Sequence, residues 1–303
     1  MGVEWALRPV LCTALIVLSA GSAAADVNVA HPRARHYDPC HGVVAPDPPG
    51  FGGRVALTFD DGPSVALTPR VLEILRRHRI PATFFLVGSR VRGKAIDLVR
   101  EMAADPLFTI GNHTWQHVNL AHARPERALH QVTLADAAIT DAAGATPHWF
   151  RFPYGSSSCA TARMVRDHGY RIAGWHVDSA DWCYAAGGGR CYAGMWKEVP
   201  DRLRGDMIEL VRRRVRASGG GIVLLHDIHW RTVARLEQLI EALEKDGYTF
   251  VRLDDADVFP RLNRPDPPSS DILAAGGHHA SAQDRALDHP AGSGSAVPGR
   301  LRR

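Results

Sequence analysis

The chain has 303 residues, a formal net charge of +4 at pH 7, and 45% hydrophobic and 22% charged residues. These values are ordinary for a globular protein and suit one large domain or two small ones. The charge is too evenly balanced to identify a partner, because nucleic-acid binding needs a concentrated basic stripe. The nearest candidate, at residues 212–216, is interpreted as the solvated face of a helix, so we expect no nucleic-acid partner.

Residues 1–25 are predicted to be a secretory signal peptide. Arg8 supplies a positive charge, residues 10–18 are apolar, and small residues at 23–25 offer a cleavage site before Asp26. The apolar run is shorter than the roughly 20 residues that cross a bilayer, so we expect no stable membrane insertion after cleavage. The mature protein is therefore expected to be secreted or periplasmic.

Residues 53–260 are predicted to form one folded domain in which strands and helices alternate. Apolar runs predict strands near 55–59, 82–87, 107–110, 149–152, 170–177, 221–225 and 248–253. Amphipathic segments predict helices near 68–75, 95–103, 125–143, 161–168, 200–217 and 231–245. This alternation predicts an α/β fold with parallel strands, either a barrel or an open doubly wound sheet.

Both flanks of this domain have a different composition. Residues 26–52 are rich in proline, glycine and polar residues and are interpreted as a linker or an N-terminal wrap. Residues 261–303 contain almost no large apolar side chains. Because such a segment buries too little surface to offset its ordering entropy, we expect a disordered tail.

The cysteine content is typical of an exported protein with disulfides. Of five cysteines, four remain after the predicted cleavage: Cys40, Cys159, Cys183 and Cys191. Cys183 and Cys191 flank a glycine-rich segment and are the first candidate pair, which would leave Cys40 with Cys159 by elimination. Four cysteines allow three connectivities, so the pairing stays a hypothesis.

Polar side chains suited to metal binding follow two of the predicted strands. Asp60 and Asp61 end the first strand, and adjacent strand residues point in opposite directions, so one carboxylate can bind a metal while the other faces a substrate. His113 and His117 follow the third strand, and we expect residues four apart to share one face of a helical turn. Two histidines and one carboxylate leave coordination positions open, as in a catalytic metal site.

Three further segments follow other predicted strands. They contain Arg151, Asp178 with Trp182, and Leu224 with His226. An arginine inside an apolar run needs an acidic partner, because a buried unpaired charge is costly. Each segment alone has an ordinary structural explanation, but polar residues at the C-terminal ends of several strands are typical of barrel enzymes.

Together, the five segments resemble the polysaccharide deacetylases with a NodB-like domain, carbohydrate esterase family 4. The matching motifs are TFDDG at 58–62, HTWQH at 113–117, RFPY at 151–154, DSADW at 178–182 and LLH at 224–226. The resemblance covers about residues 54–255. It implies a distorted (β/α) barrel, a polysaccharide deacetylase catalytic domain, and one divalent cation, usually zinc and sometimes a cobalt-type metal.

The resemblance also implies roles for individual residues. Asp61, His113 and His117 match the metal ligands of the family. Asp60 matches the catalytic base, and Arg151 matches the residue that orients it.

On the acid side of the reaction, His226 matches the general acid and Asp178 its charged neighbour. Trp182 and Leu224 match the walls of the acetyl pocket, and the backbone amide of Tyr154 matches a donor to the oxyanion.

The expected function is hydrolysis of N-acetyl groups on a glycan that contains N-acetylglucosamine, with release of acetate. An O-acetyl esterase acting on acetylated xylan would use the same residues on an easier bond. A non-catalytic carbohydrate-binding protein of this fold should lack one or more of the matched acids and histidines, and all of them are present.

The segment 183–196 departs from the family pattern. It contains Tyr184, Tyr192 and Trp196 besides the two cysteines and a run of glycines. Its aromatic rings are interpreted either as a platform for sugars or as part of a disulfide-closed surface loop. The sequence leaves both interpretations open.

Overall fold

The computed structural model describes residues 50–263. Its strands are β1 (Arg54–Asp60), β2 (Ala82–Leu86), β3 (Phe108–Asn112), β4 (Trp149–Phe150), β5 (Arg171–Ile172), β6 (Val177–Asp178), β7 (Gly221–His226) and β8 (Thr249–Phe250). Its helices are α1 (Thr68–His78), α2 (Lys94–Ala104), α3 (Pro125–Ala143), α4 (Cys159–Asp167), α5 (Asp181–Ala186), α6 (Met207–Ser218) and α7 (Trp230–Lys245). Short 3₁₀ turns lie at Gly88–Arg90, Pro153–Gly155 and Asp201–Leu203.

The strands form a parallel sheet that curves into an incomplete barrel. The hydrogen-bonded order is β5-β4-β3-β2-β1-β7-β6, and β8 pairs with the first residues of β1. All strand pairs are parallel, and β5 and β6 end the hydrogen-bonded path. The prediction of a distorted barrel of about seven parallel strands is confirmed.

The barrel is interrupted where the sequence predicts one long strand over 170–177. The structure instead has two short strands, β5 and β6, separated by residues 173–176. The carbonyl oxygens of Ala173 and Gly174 accept hydrogen bonds from the guanidinium of Arg151. Because these carbonyls bind a side chain, they are not available to extend the strand, and the single-strand prediction is wrong.

Side-chain alternation along β1 separates the core from the functional face. Val55, Leu57 and Phe59 are buried in the main hydrophobic cluster, which includes apolar residues of α1 and α7. Thr58 and Asp60 project from the opposite face of the strand, where both contact Arg151. The same seven-residue strand therefore stabilises the fold and positions a buried carboxylate.

The structure also differs from the predicted helices in two places. The predicted helix over 200–217 is a 3₁₀ turn at Asp201–Leu203 followed by α6, which begins after Asp206. The Asp206 carboxylate accepts a hydrogen bond from the backbone N–H of Glu209, which caps the new helix start. The sequence did not predict the short helix α5, which directly follows β6.

Several predictions fall on other parts of the chain. The predicted signal peptide, nearly all of the predicted linker and most of the predicted tail lie outside the described residues. Within the described range, the structure contains no helix of the length and apolar character needed to cross a membrane.

Replacing Gly88 by alanine should destabilise the fold. A Cβ atom at Gly88 would lie 2.5 Å from the Cα of Ala135 in α3, so the helix would have to move. We expect the free energy of unfolding to fall by about 1–3 kcal/mol, as for other overpacked sites. Chemical denaturation measures this loss. Gly194→Ala is the matched control, because a Cβ there meets no atom within 4 Å, and an equal loss in both variants would contradict the packing explanation.

Candidate active site

Three predicted metal ligands converge at the C-terminal ends of β1 and β3. The Oδ1 atom of Asp61 lies 3.1 Å from Nε2 of His117 and 3.5 Å from Nε2 of His113. One ligand atom from each residue lies within 4.8 Å of the other two. This arrangement places one oxygen and two nitrogen donors around a common point, as a small divalent cation requires.

The local chemistry of these residues fits a metal site. Oδ1 of Asp61 is buried and has no hydrogen-bond partner among the described residues, which is costly unless a cation binds there. Nδ1 of His113 lies 2.7 Å from the carbonyl oxygen of Arg151, so Nδ1–H donates and Nε2 keeps its lone pair. Burial lowers the pKa of His113 to about 3, although the charge of Asp61 acts in the opposite direction. A neutral imidazole is the form that binds a metal.

The two histidines do not share a helical turn as the sequence predicts. Residues 113–117 form no helix, and Thr114 and His117 have positive φ angles of 68° and 55°. The side chain of Asn112 accepts a hydrogen bond from the backbone N–H of Thr114, which stabilises the turn. The turn brings the rings of His113 and His117 to a centroid distance of 5.0 Å.

Asp60 is held by a fully buried arginine. Nη1 of Arg151 donates to Oδ1 of Asp60 and to the hydroxyl oxygen of Thr58, both at 2.8 Å. Burial raises the pKa of Asp60, and the charge and hydrogen bond of Arg151 offset part of that increase. Oδ2 of Asp60 lies 3.7 Å from Nε2 of His113, so the carboxylate borders the metal-ligand cluster.

His226 ends β7, on the other side of β1, and pairs with Asp181. Nδ1 of His226 lies 2.7 Å from Oδ1 of Asp181, and Oδ2 of Asp181 accepts from the backbone N–H of His226 and the hydroxyl of Thr232. Burial lowers the pKa of His226, but the charge and hydrogen bond of Asp181 outweigh it, with further help from Asp60 and Asp61, and raise the pKa to about 10. The imidazole therefore carries a proton at neutral pH.

The residue that the sequence analysis selected as the neighbour of His226 is Asp178, but Asp181 makes the hydrogen bonds. Oδ1 of Asp178 instead accepts from the backbone N–H of Ala180. Burial raises the pKa of Asp178 to about 6, and the charge of His226 acts against it. Asp181 could have been considered from the sequence, because it is the second acidic residue of the segment 178–182.

The predicted substrate-binding residues Tyr154, Leu224 and Trp182 differ in how far they are buried. Tyr154 follows β4 with a φ of 60°, is 68% exposed, and packs the edge of its ring against His117 at a centroid distance of 4.5 Å. Leu224 is buried in β7 beside Thr58 and Asp178 of the neighbouring strands. Trp182 is half-buried.

The segment 183–196 is closed by the predicted disulfide between Cys183 and Cys191, with an S–S distance of 2.01 Å. Tyr184 is buried, and its hydroxyl donates to the carbonyl of Leu203, so it cannot stack on a sugar. Trp196 packs against Trp182 at a centroid distance of 5.5 Å. The predicted Cys40–Cys159 pair includes a residue outside the described range.

Asp227 is a buried acid to which the sequence analysis gave no role. Its Oδ2 accepts a hydrogen bond from the hydroxyl of Thr68, at the start of α1. A Cβ atom on Gly62 would lie only 2.5 Å from that oxygen, so the absence of a side chain lets the backbone after Asp61 approach the carboxyl group. Burial raises the pKa of Asp227 to about 7, against the effect of the Thr68 hydrogen bond.

Comparison with known proteins identifies the family. A family model described as polysaccharide deacetylase matches residues 49–173. A chitooligosaccharide deacetylase of a Bradyrhizobium species is 32% identical over 209 residues, which cover 64% of this chain and 86% of that protein. The chain belongs to the polysaccharide deacetylase family. The resemblance inferred from the five motifs is confirmed.

Other similar proteins differ in length and in named activity. A peptidoglycan-N-acetylglucosamine deacetylase of Listeria monocytogenes is 34% identical over 204 residues, and these cover 67% of this chain but only 38% of that protein. A family 4 acetyl xylan esterase from Clostridium thermocellum, solved with a cobalt ion, superposes with a TM-score of 0.55 at 30% identity, covering 70% of this chain and 93% of the esterase.

In this polysaccharide deacetylase family member, removing Arg151 should strongly destabilise the fold. Arg151→Met keeps the side-chain length but leaves the buried carboxylate of Asp60 without its guanidinium partner. We expect the free energy of unfolding to fall by about 3–5 kcal/mol, as when one partner of a buried ion pair is removed. Urea denaturation would measure it. Arg100→Met removes a solvent-exposed pair with Asp97 and should cost far less, so similar losses would argue against an essential buried pair.

Proposed function

We propose that this chain is a secreted, metal-dependent hydrolase that removes N-acetyl groups from a glycan containing N-acetylglucosamine and releases acetate. The observation that carries the proposal is the pairing of two proton carriers beside the Asp61, His113 and His117 cluster. One carrier is Asp60, held by Arg151, and the other is His226, held by Asp181. Secretion is inferred from the predicted signal peptide at residues 1–25.

Asp61, His113 and His117 would hold the cation, for which zinc is our first candidate and a cobalt-type metal the second. When bound, a divalent cation polarises a carbonyl oxygen and lowers the pKa of bound water toward about 7. The proposal is supported by the buried, unpartnered Oδ1 of Asp61 and by the burial of His113 and His117, which lowers the pKa of both imidazoles.

The remaining residues would move protons and stabilise charge. Asp60 would accept the proton of the attacking water, since Arg151 fixes its carboxylate at the edge of the ligand cluster. The backbone N–H of Tyr154 would donate to the oxyanion of the tetrahedral intermediate. His226 would donate its proton to the leaving nitrogen, which frees the amino sugar. Trp182 and Leu224 would form the walls around the acetyl methyl group.

The names of the relatives support the proposed substrate class. Their names specify deacetylation of peptidoglycan N-acetylglucosamine and of chitooligosaccharides. O-acetyl ester hydrolysis is the second candidate, and it is favoured by the likeness to the acetyl xylan esterase. Acetate release from purified peptidoglycan, chitooligosaccharides and acetylated xylan separates the two, because an O-acetyl esterase would release acetate only from xylan.

Activity should depend on the metal and on two different kinds of side chain. A chelator should abolish acetate release, and added zinc or cobalt should restore it. His113→Ala should lose both bound metal and turnover, because it removes a ligand. Asp60→Asn should keep the metal and lose at least about 100-fold in kcat, because it removes only the base. Elemental analysis measures metal content, and a His113→Ala protein with full metal content would contradict the ligand assignment.

The alkaline limb of the pH–rate profile should move when Asp181 is replaced. His226 must be protonated to act as an acid, so activity falls as pH rises through its pKa. Asp181 raises that pKa, and Asp181→Asn should therefore shift the alkaline limb of kcat/KM to lower pH, by roughly one to three units. Asp178→Asn is the matched control and should shift it less. A larger shift in Asp178→Asn would instead make Asp178 the acid that governs His226.

A further inference from the structure

An exposed tryptophan adjoins the proposed acid, and the mechanism above does not use it. Trp230 is the first residue of α7, four positions after His226, and it is 59% exposed. The intervening His229 packs its ring 5.6 Å from the ring of His226. Trp230 therefore begins the helix that follows β7, whereas the exposed Tyr154 follows β4.

The indole is in contact with its neighbour Arg231. The central carbon of the Arg231 guanidinium lies over the ring of Trp230, 4.5 Å from its centroid. Such a cation–π contact holds one face of the ring. Since more than half of Trp230 is still exposed, the rest of the indole remains open to a ligand.

Arg231 in turn lies against the disulfide-closed loop. A Cβ atom on Gly189 would lie 2.8 Å from Nη1 of Arg231, and Gly189 has a φ of 107°. This backbone conformation favours glycine, and the short distance shows that the guanidinium lies against the loop. The disulfide between Cys183 and Cys191 encloses Gly189, so the loop that meets Arg231 is tethered.

We propose that Trp230 and Arg231 form a subsite for the sugar next to the one that loses its acetyl group. This inference rests on the proposed function. A pyranose ring has apolar C–H faces that stack on an aromatic ring, and its hydroxyl and ring oxygens accept hydrogen bonds from a guanidinium. A rigid aromatic side chain with donors already in place loses little entropy on binding. The subsite would make the enzyme prefer oligosaccharides over a single acetylated sugar.

Binding in the absence of turnover tests the subsite. In an Asp60→Asn background, calorimetry would compare the affinities for N-acetylglucosamine and for its β-1,4-linked pentasaccharide. Trp230→Ala should lower the ratio of pentasaccharide to monosaccharide affinity about tenfold, the upper range for an aromatic contact. Trp230→Phe should keep most of that ratio, because it retains a flat ring. Arg231→Gln should lower it, while Arg235→Gln, one turn along the same helix, should not.

The outcomes separate this inference from the proposed function. If Trp230→Ala leaves the affinity ratio unchanged, or if Arg235→Gln lowers it as much as Arg231→Gln, the subsite is wrong. If the unmodified protein binds and discriminates the oligosaccharide as described but releases no acetate, the subsite stands and the proposed reaction fails. Thermal unfolding of each variant checks that lost affinity does not reflect an unfolded protein.

Discussion

The buried guanidinium of Arg151 is the interaction on which the site depends. The guanidinium donates hydrogen bonds to Asp60, to Thr58 and to the carbonyl oxygens of residues 173 and 174. The backbone carbonyl oxygen of Arg151 accepts a hydrogen bond from His113. A charge with no solvent exposure is tolerated only when such partners replace water. Satisfying them fixes the proposed base and one proposed metal ligand, and also occupies the carbonyls between β5 and β6. The break in the barrel and the position of the base thus have one cause.

Two histidines of the same site are driven to opposite protonation states by their Nδ1 partners. Nδ1 of His113 faces a backbone carbonyl, so burial dominates and lowers its pKa. Nδ1 of His226 faces the carboxylate of Asp181, whose charge outweighs burial and raises the pKa. One imidazole is thereby suited to bind a metal and the other to donate a proton. Divergent pKa values in neighbouring groups are the usual way in which a site divides acid and base roles.

The sequence predicted the features that depend on local pattern. Apolar runs located the strands, and polar residues after the strands located the site, because the C-terminal ends of parallel strands meet at one edge. It selected Asp178 instead of Asp181 as the partner of His226, because Asp178 ends β6 whereas Asp181 reaches His226 only from the first residue of α5. The turn at residues 113–117 was also missed, because it depends on left-handed residues supported by Asn112. The sequence left open whether Tyr184 stacks on a sugar. Its burial, which excludes stacking, depends on packing against residues distant in sequence.

The wall of the site beside β6 is built differently from the rest. The proposed catalytic residues lie at or directly after strand ends, where backbone pairing limits their movement, whereas residues 187–200 form a loop that contains no helix or strand. Arg204 compensates by donating to the carbonyls of Cys191 and Trp196, and Arg214 by donating to those of Glu198 and Asp178. Arg214 therefore joins the loop to the strand end that leads to Asp181. A loop tied in this way can vary in sequence and change which glycan fits, while the acid that it borders keeps its position.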